Sequence, residues 1–270
     1  MRILTTTGGA PHSDSAIRLA AYLAETTGAS IVLLTIIKTE STRVQAEAIL
    51  TRATALLAST IEVQRKVRLG QPAGQIVREA REGNYDLLIL GERVHHGLTR
   101  HILAPTAERV LEQMPCPVLI ARGQARPLKR LLLCESGRDP SLLNRFMSQL
   151  KPLLVAADAL TLLHVMSQMA AGPGVPGWEL RADAEELMEE HTPEGRLLEG
   201  DLKRLKQLGM HLEARVRHGL VVQEILEEAR TGDYDLVVIG AHQRKGWERV
   251  LLDDLAQAIV DHADRPILVV

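Results

Sequence analysis

The segment Gly70–Gly91, GQPAGQIVREAREGNYDLLILG, returns without a gap as Gly219–Gly240, GLVVQEILEEARTGDYDLVVIG. Each copy reads as an amphipathic helix followed by a short apolar run that stops at a glycine. The flanking segments repeat in the same order. Upstream, MRILTTTGG (1–9) pairs with KRLLLCESG (129–137), and ASIVLLTI (29–36) with DALTLLHV (158–165). Downstream, MPCPVLIARG (114–123) pairs with ADRPILVV (263–270). A preserved order of matches points to one domain duplicated. We read the domains as 1–123 and 127–270. They join at the polar seam RGQARP, Arg122–Pro127, whose proline resists any continuing helix or strand.

Periodicity alternates along the first copy. Ile3–Thr7 is a β-type run, and Ser13–Thr27 is helical with Ile17, Leu19, Ala20 and Leu23 on one face. Ile31–Ile37 is nearly all apolar, as expected of a strand covered on both faces. Helix (Thr42–Ser59), strand (Gln64–Leu69), helix from Pro72, strand (Asp86–Leu90), helix (Pro105–Gln113) and strand (Val118–Ala121) come next. This alternation predicts an α/β protein with parallel sheets and helices on both faces. Ligands in such sheets sit beyond the carboxyl ends of strands where the strand order reverses. The loops TGGAPHS and GERVHHG, after the first and fourth strands, are therefore the expected walls of the crevice. The second copy carries extra chain near 167–200: a Gly/Pro-rich tract, Ala170–Gly177, and an acidic helix. The tract reads as a surface excursion, with a lid as the alternative.

Composition narrows the classes. Aromatics make up 2% of the 270 residues, too few for a stacking platform on single-stranded nucleic acid. A net charge of −2 gives no general pull toward nucleic acid or anionic lipid. Cys116 and Cys134 are the only cysteines, without disulfide or metal-type spacing. The N-terminus has no apolar segment of signal-peptide length, and no run approaches the ~20 apolar residues that span a bilayer. A cytoplasmic protein is expected.

YDLLILG and YDLVVIG, each followed by a loop, a helix and then CPVLI or RPILVV, resemble the universal stress protein family in its tandem two-domain form. That resemblance implies two flavodoxin-like (adenine nucleotide alpha hydrolase-like) domains, each a five-stranded parallel sheet. It also implies internal pairing of the domains through their last strands; a homodimer and an unknown protein partner are left open. Many members bind ATP through G-x2-G-x9-G-[ST] and an Asp ending the first strand. The glycines let the backbone approach phosphate, and the closing pair opens a helix whose free N–H groups face the anion.

Laid on this sequence, the motif survives in fragments. Gly91 and Gly240 match the first glycine, but the second falls on Val94 and Gln243. The closing pair becomes Ala104–Pro105 in the first half and Asp253–Asp254 in the second. The strand-end Asp is replaced by Gly8 and Ser136, followed by Gly9 and Gly137. A carboxylate about 5 Å from a phosphate charge, at an effective dielectric of about 20, repels it by roughly 3 kcal/mol. Asp253 or Asp254 would also cap the helix that should face the anion. The second cleft is thus expected to be self-occupied. The first is expected to be altered: Arg93, His95, His96, Arg100 and His101 surround it and offer side-chain cations in place of backbone donors, with Gly97 and Thr106 also in the cleft. No cofactor is expected with certainty; ATP or AMP in the first half is the alternative.

Other chemistry gives way to blander readings. TTGGAPHSDS (6–15) resembles the phosphate loop of ATP pyrophosphatases, but Ala10, Pro11 and His12 displace Ser13–Asp14, and Ser13 reads as a helix cap. His95, His96 and His101 lack the Cys or carboxylate company of a metal site. Trp247 is read as filling space over the second cleft. The expectation is a non-enzymatic stress-response or regulatory binding protein with a degenerate nucleotide motif in both halves. The alternative is an ATP- or AMP-binding protein with one altered site.

Overall fold

The computed structural model describes residues 1–92, 104–137, 141–167, 177–178, 181–243, 250–251 and 254–270. The first half runs β1 (Arg2–Thr6), α1 (Pro11–Thr27), β2 (Ser30–Ile37), α2 (Arg43–Thr54), β3 (Val63–Leu69), α3 (Pro72–Glu82), β4 (Leu87–Gly91), α4 (Pro105–Leu111) and β5 (Val118–Ala121). The second runs β6 (Arg130–Glu135), α5 (Leu142–Val155), β7 (Ala159–Met166), α6 (Ala184–Glu189), α7 (Pro193–Leu205), β8 (His211–His218), α8 (Val221–Thr231) and β9 (Leu236–Ile239). It continues through a two-strand ladder, β10 (His242–Gln243) with β11 (Val250–Leu251), then α9 (Asp254–His262) and β12 (Ile267–Val269).

Ten strands form one sheet in the order β3-β2-β1-β4-β5-β12-β9-β6-β7-β8. Within each half all pairing in this sheet is parallel, and the order reverses between β1 and β4 and again between β6 and β9. At the centre β5 and β12 pair antiparallel, Val118 opposite Val269 and Ile120 opposite Ile267. The halves are thus related by an approximate twofold axis, and their strand ends point in opposite directions.

Two apolar layers arise from the strand alternation. One face packs Ile17 and Leu23 of α1, Leu50 of α2, Phe146 of α5 and Leu198 and Leu205 of α7 in a single buried cluster. The other packs Ile76 of α3, Val110 of α4, Ile225 of α8 and Ile259 of α9. Leu, Ile, Val and Ala supply nearly all of this core, and Phe146 is its one fully buried phenyl ring.

The outer strands β3 (VQRKVRL) and β8 (HLEARVRH) carry the charges that discourage further strands from adding to a sheet edge. Those cations also clamp helices. Glu79 on α3 is almost wholly buried and accepts from Lys66, Arg68 and the Tyr85 hydroxyl. Glu228 on α8 accepts from Arg215, Arg217 and the Tyr234 hydroxyl in the same way. Burial pushes the Glu79 carboxyl up, but the three donors outweigh it and hold it below its ordinary value.

Helix starts reflect local chemistry. Pro11 and Pro105 sit at the first helical positions of α1 and α4, where a missing N–H costs nothing. Ser13 is not the cap of α1. The helix begins two residues earlier, and the Ser13 hydroxyl turns back to the carbonyl of Ala10, 2.6 Å away.

Candidate functional site

At the reversal point of the first half lies a cleft of about 390 Å³. Its floor is the end of β1 and the start of α1 (Thr6, Thr7, Gly8, His12, Ser13), its far wall the start of α4 (Ala104, Pro105, Thr106). Ile36, Ile76 and Leu90 give it an apolar side. Four of the lining side chains are hydroxyls, Thr6, Thr7, Ser13 and Thr106, and no carboxylate lines it among the described residues. Thr7 organises the turn: its Oγ1 accepts from the Gly9 N–H at 3.1 Å and lies 3.1 Å from Ser13 Oγ.

The expected residues divide. Gly8, Gly91 and Thr106 are brought together around this cleft. Gly9 adopts φ +80° and faces away, its carbonyl held by Arg52. Arg93, His95, His96, Gly97, Arg100, His101, Asp253 and Trp247 lie outside the described residues, as does most of the 170–177 tract. A side-chain carbon on Gly91 would meet the main-chain oxygen of His12 at 2.2 Å. The surviving motif glycine is therefore required by the docking of α1 against β4, whatever binds nearby.

The second half places a charge in the equivalent position. Glu135, aligned with Thr7 and 3% exposed, ends β6 with its carboxylate turned inward. Oε1 accepts from Ser136 N–H at 2.9 Å and Gly137 N–H at 3.3 Å, and Oε2 accepts from Leu143 N–H at 3.2 Å in the first turn of α5. A main-chain nest at a helix N-terminus is a ready anion site, and here the chain supplies its own anion. Asp254 is exposed at the first residue of α9, and the three donors are filled by Glu135.

Asp201 on α7 stands in the same neighbourhood. It is 2% exposed, its Oδ2 has no hydrogen-bond partner, and Arg204 lies 3.6 Å from Oδ1. Burial, then the charge of Glu135, pushes its carboxyl up to about 6. Gly240 faces the Arg145 guanidinium, whose Nη1 donates to the carbonyls of Ala241 and Val270.

The universal stress protein family model matches the chain twice, over residues 1–122 and 149–270. The chain belongs to this family. A curated universal stress protein of Methanocaldococcus jannaschii is 32% identical over 102 residues, 36% of this chain. The chain covers 55% of the length of that relative. Among solved structures, a functionally unknown protein of Pseudomonas aeruginosa PAO1 superposes with a TM-score of 0.72 at 20% identity, covering 100% of this chain and 92% of its own. A universal stress protein from Archaeoglobus fulgidus gives a TM-score of 0.70 at 17% identity, covering 99% and 97%. At these identities the structures establish the tandem fold. Within this universal stress protein fold the first half has a crevice at its reversal point, and the equivalent strand end of the second half carries the Glu135 carboxylate.

Glu135, Asp201 and Arg145 are absent from the sequence-based site. The signal for Glu135 was present in LLLCESG: an acid at the end of an otherwise apolar strand, directly before a glycine turn. Asp201 and Arg145 lie on helices distant in sequence and carry no such mark. Among the described residues no His/Cys/Asp/Glu group has metal-site geometry, and no helix is long and apolar enough to cross a membrane. Cys116 packs beside Asp86, and burial raises its thiol to about 12. Cys134 is buried in β6, and burial likewise raises it.

Proposed function

We propose that this universal stress protein is a non-enzymatic cytoplasmic binding protein with one working cleft, in the first half. Its ligand is of the nucleoside or nucleoside-monophosphate type. The reading rests on the contrast at one strand end: Thr7 puts a neutral hydroxyl in the first cleft, whose described lining has no carboxylate, whereas Glu135 occupies the main-chain donors at the equivalent place in the second half.

The first cleft fits part of the family's nucleotide. Ile36, Ile76 and Leu90 offer an apolar wall to a base, and the hydroxyls of Thr6, Thr7, Ser13 and Thr106 suit a sugar. A triphosphate fits poorly. Pro105 carries no N–H at the start of α4, and Gly8 replaces the strand-end carboxylate. The second cleft does not fit an anionic nucleotide, because any phosphate would have to displace Glu135.

Titration of the full chain with adenosine, AMP and ATP, followed by calorimetry and melting temperature, tests this. A ligand at about 100 times its Kd adds about 2.7 kcal/mol of stability. The expected result is one adenosine or AMP per chain, binding tighter than ATP and lost in Thr7→Glu. Two ligands per chain, tighter binding of ATP, or no binding of any of the three would overturn the reading. Release of phosphate or AMP from ATP under turnover conditions would overturn its non-enzymatic part.

A further inference from the structure

The antiparallel pairing of β5 and β12 creates two seams between the halves, and one of them contains two guanidinium groups, Arg126 and Arg265, that the other lacks. At the seam crossed by the linker, the entry to β9 presents Tyr234 and Asp235. Asp235 Oδ2 accepts the main-chain N–H groups of Lys129 and Arg130 at 2.9 and 2.8 Å. Its Oδ1 lies 2.8 Å from Nε of Arg126, whose Nη2 donates to the Tyr234 carbonyl at 2.8 Å. The Arg122 guanidinium closes this seam, paired with buried Glu92 and donating to the carbonyl of Ala263 at 2.6 Å.

The other seam keeps the aspartate but lacks Arg126, and Cys116 stands at the position of Arg265, whose Nη1 also donates to the Tyr234 carbonyl at 3.1 Å. Asp86 Oδ2 accepts the N–H of Arg2 at 2.7 Å, as Asp235 does that of Arg130. Arg145 takes the place of Arg122, reaching the carbonyls at the ends of neighbouring strands. Among the described residues, no side chain donates to the other Asp86 oxygen or to the Tyr85 carbonyl. A cavity of about 390 Å³ opens there, with Asp86, Cys116, Arg145, Ser148 and Gln149 around it and Met114 on its apolar side.

We infer that this cavity is a docking site for an arginine carried on an extended peptide segment of a partner protein. The molecule shows the mode of binding in its own linker. Arg126 reaches Asp235 and the Tyr234 carbonyl with its guanidinium, while Ala125 and Leu128 pack on the core on either side. Asp86 and the Tyr85 carbonyl offer a guanidinium the same two acceptors that Asp235 and Tyr234 offer Arg126. Arg145 also lines the cavity, its Nη1 held by the carbonyls of Ala241 and Val270. Met114, Pro115 and Pro117 supply apolar contact.

The probe is a synthetic peptide with the sequence of Arg122–Leu128, titrated into the full chain at low salt and read by calorimetry. One peptide binds per chain. Replacing its Arg126 equivalent by Ala, or Asp86→Asn in the protein, weakens binding about tenfold. Gln149→Trp at the exposed mouth blocks the peptide without changing the melting temperature, and so serves even if the Asp86 variant fails to fold. The inference is overturned if no binding is seen up to about 5 mM peptide. It is equally overturned if Asp86→Asn and Gln149→Trp bind like the parent, or if free arginine binds as tightly as the peptide. Nucleoside binding in the first cleft is a separate readout, so either proposal can fail alone.

Discussion

Thr7 and Glu135 occupy the same place at the end of the first strand of their halves, before the same kind of glycine turn. Thr7 meets the turn with a neutral hydroxyl and leaves an open cleft. Glu135 meets it with a carboxylate that takes three main-chain donors. A duplicated domain thus keeps its fold while one copy becomes its own ligand. The fold depends on apolar layers and strand pairing, which either residue permits, whereas the anion site depends on donors that only one internal carboxylate needs to fill.

The largest expected effect tests whether the retained motif glycines serve packing. Gly91→Ala drives a methyl into the His12 carbonyl and costs about 3 kcal/mol or more. Gly240→Ala meets the far end of Arg145, at 2.4 Å, and costs less, about 2 kcal/mol, because a side chain, though held by the Ala241 and Val270 carbonyls, gives way more easily than main chain. Denaturant titration of the two variants checks the ratio; equal costs would erase this difference between the halves.

Next is the internal anion. Glu135→Ala leaves three buried or half-buried N–H groups without their acceptor, at a cost of roughly 2 kcal/mol. Inorganic phosphate should then raise the melting temperature of the variant and leave that of the parent unchanged. If phosphate affects neither, the nest is not an anion site.

The smallest effect concerns Asp201, whose folded-state carboxyl lies near 6 against an ordinary 3.8. A raised carboxyl means the unfolded chain loses its proton first. Stability is therefore penalised in full above pH 6, recovers as pH falls from 6 toward 3.8, and bears no penalty below that. Asp201→Asn should gain about 1 kcal/mol at neutral pH and lose that advantage under acid. Parallel melting curves across this range would show it, and a constant gap at all pH values would sink the assignment.

Much of the fold was legible from periodicity and the repeat. The run Val118–Ala121 is β5 with the bounds read from sequence, Ile31–Ile37 lies within β2, and Pro105 opens α4 because a missing N–H is tolerated there. The site was less legible. Alignment to a motif drew attention to Gly91, which the structure gives a packing reason, and to Asp254, which is exposed. Glu135 escaped because the motif specifies the loop residues beyond a strand and not the direction in which the strand's last side chain turns. Asp201 reaches the same neighbourhood from about 65 residues away, by a helix whose packing no local pattern encodes.

What the amino-acid order determined by itself was the duplication, the alternation of strands and helices, and the family, because these rest on short-range periodicity and on repeated apolar runs. The tertiary structure decided which cleft is open, where the two seams lie and which carboxylate fills the nest. Those outcomes depend on a few ångströms between groups far apart in sequence: β5 against β12, α7 near Glu135, and a linker arginine against Asp235.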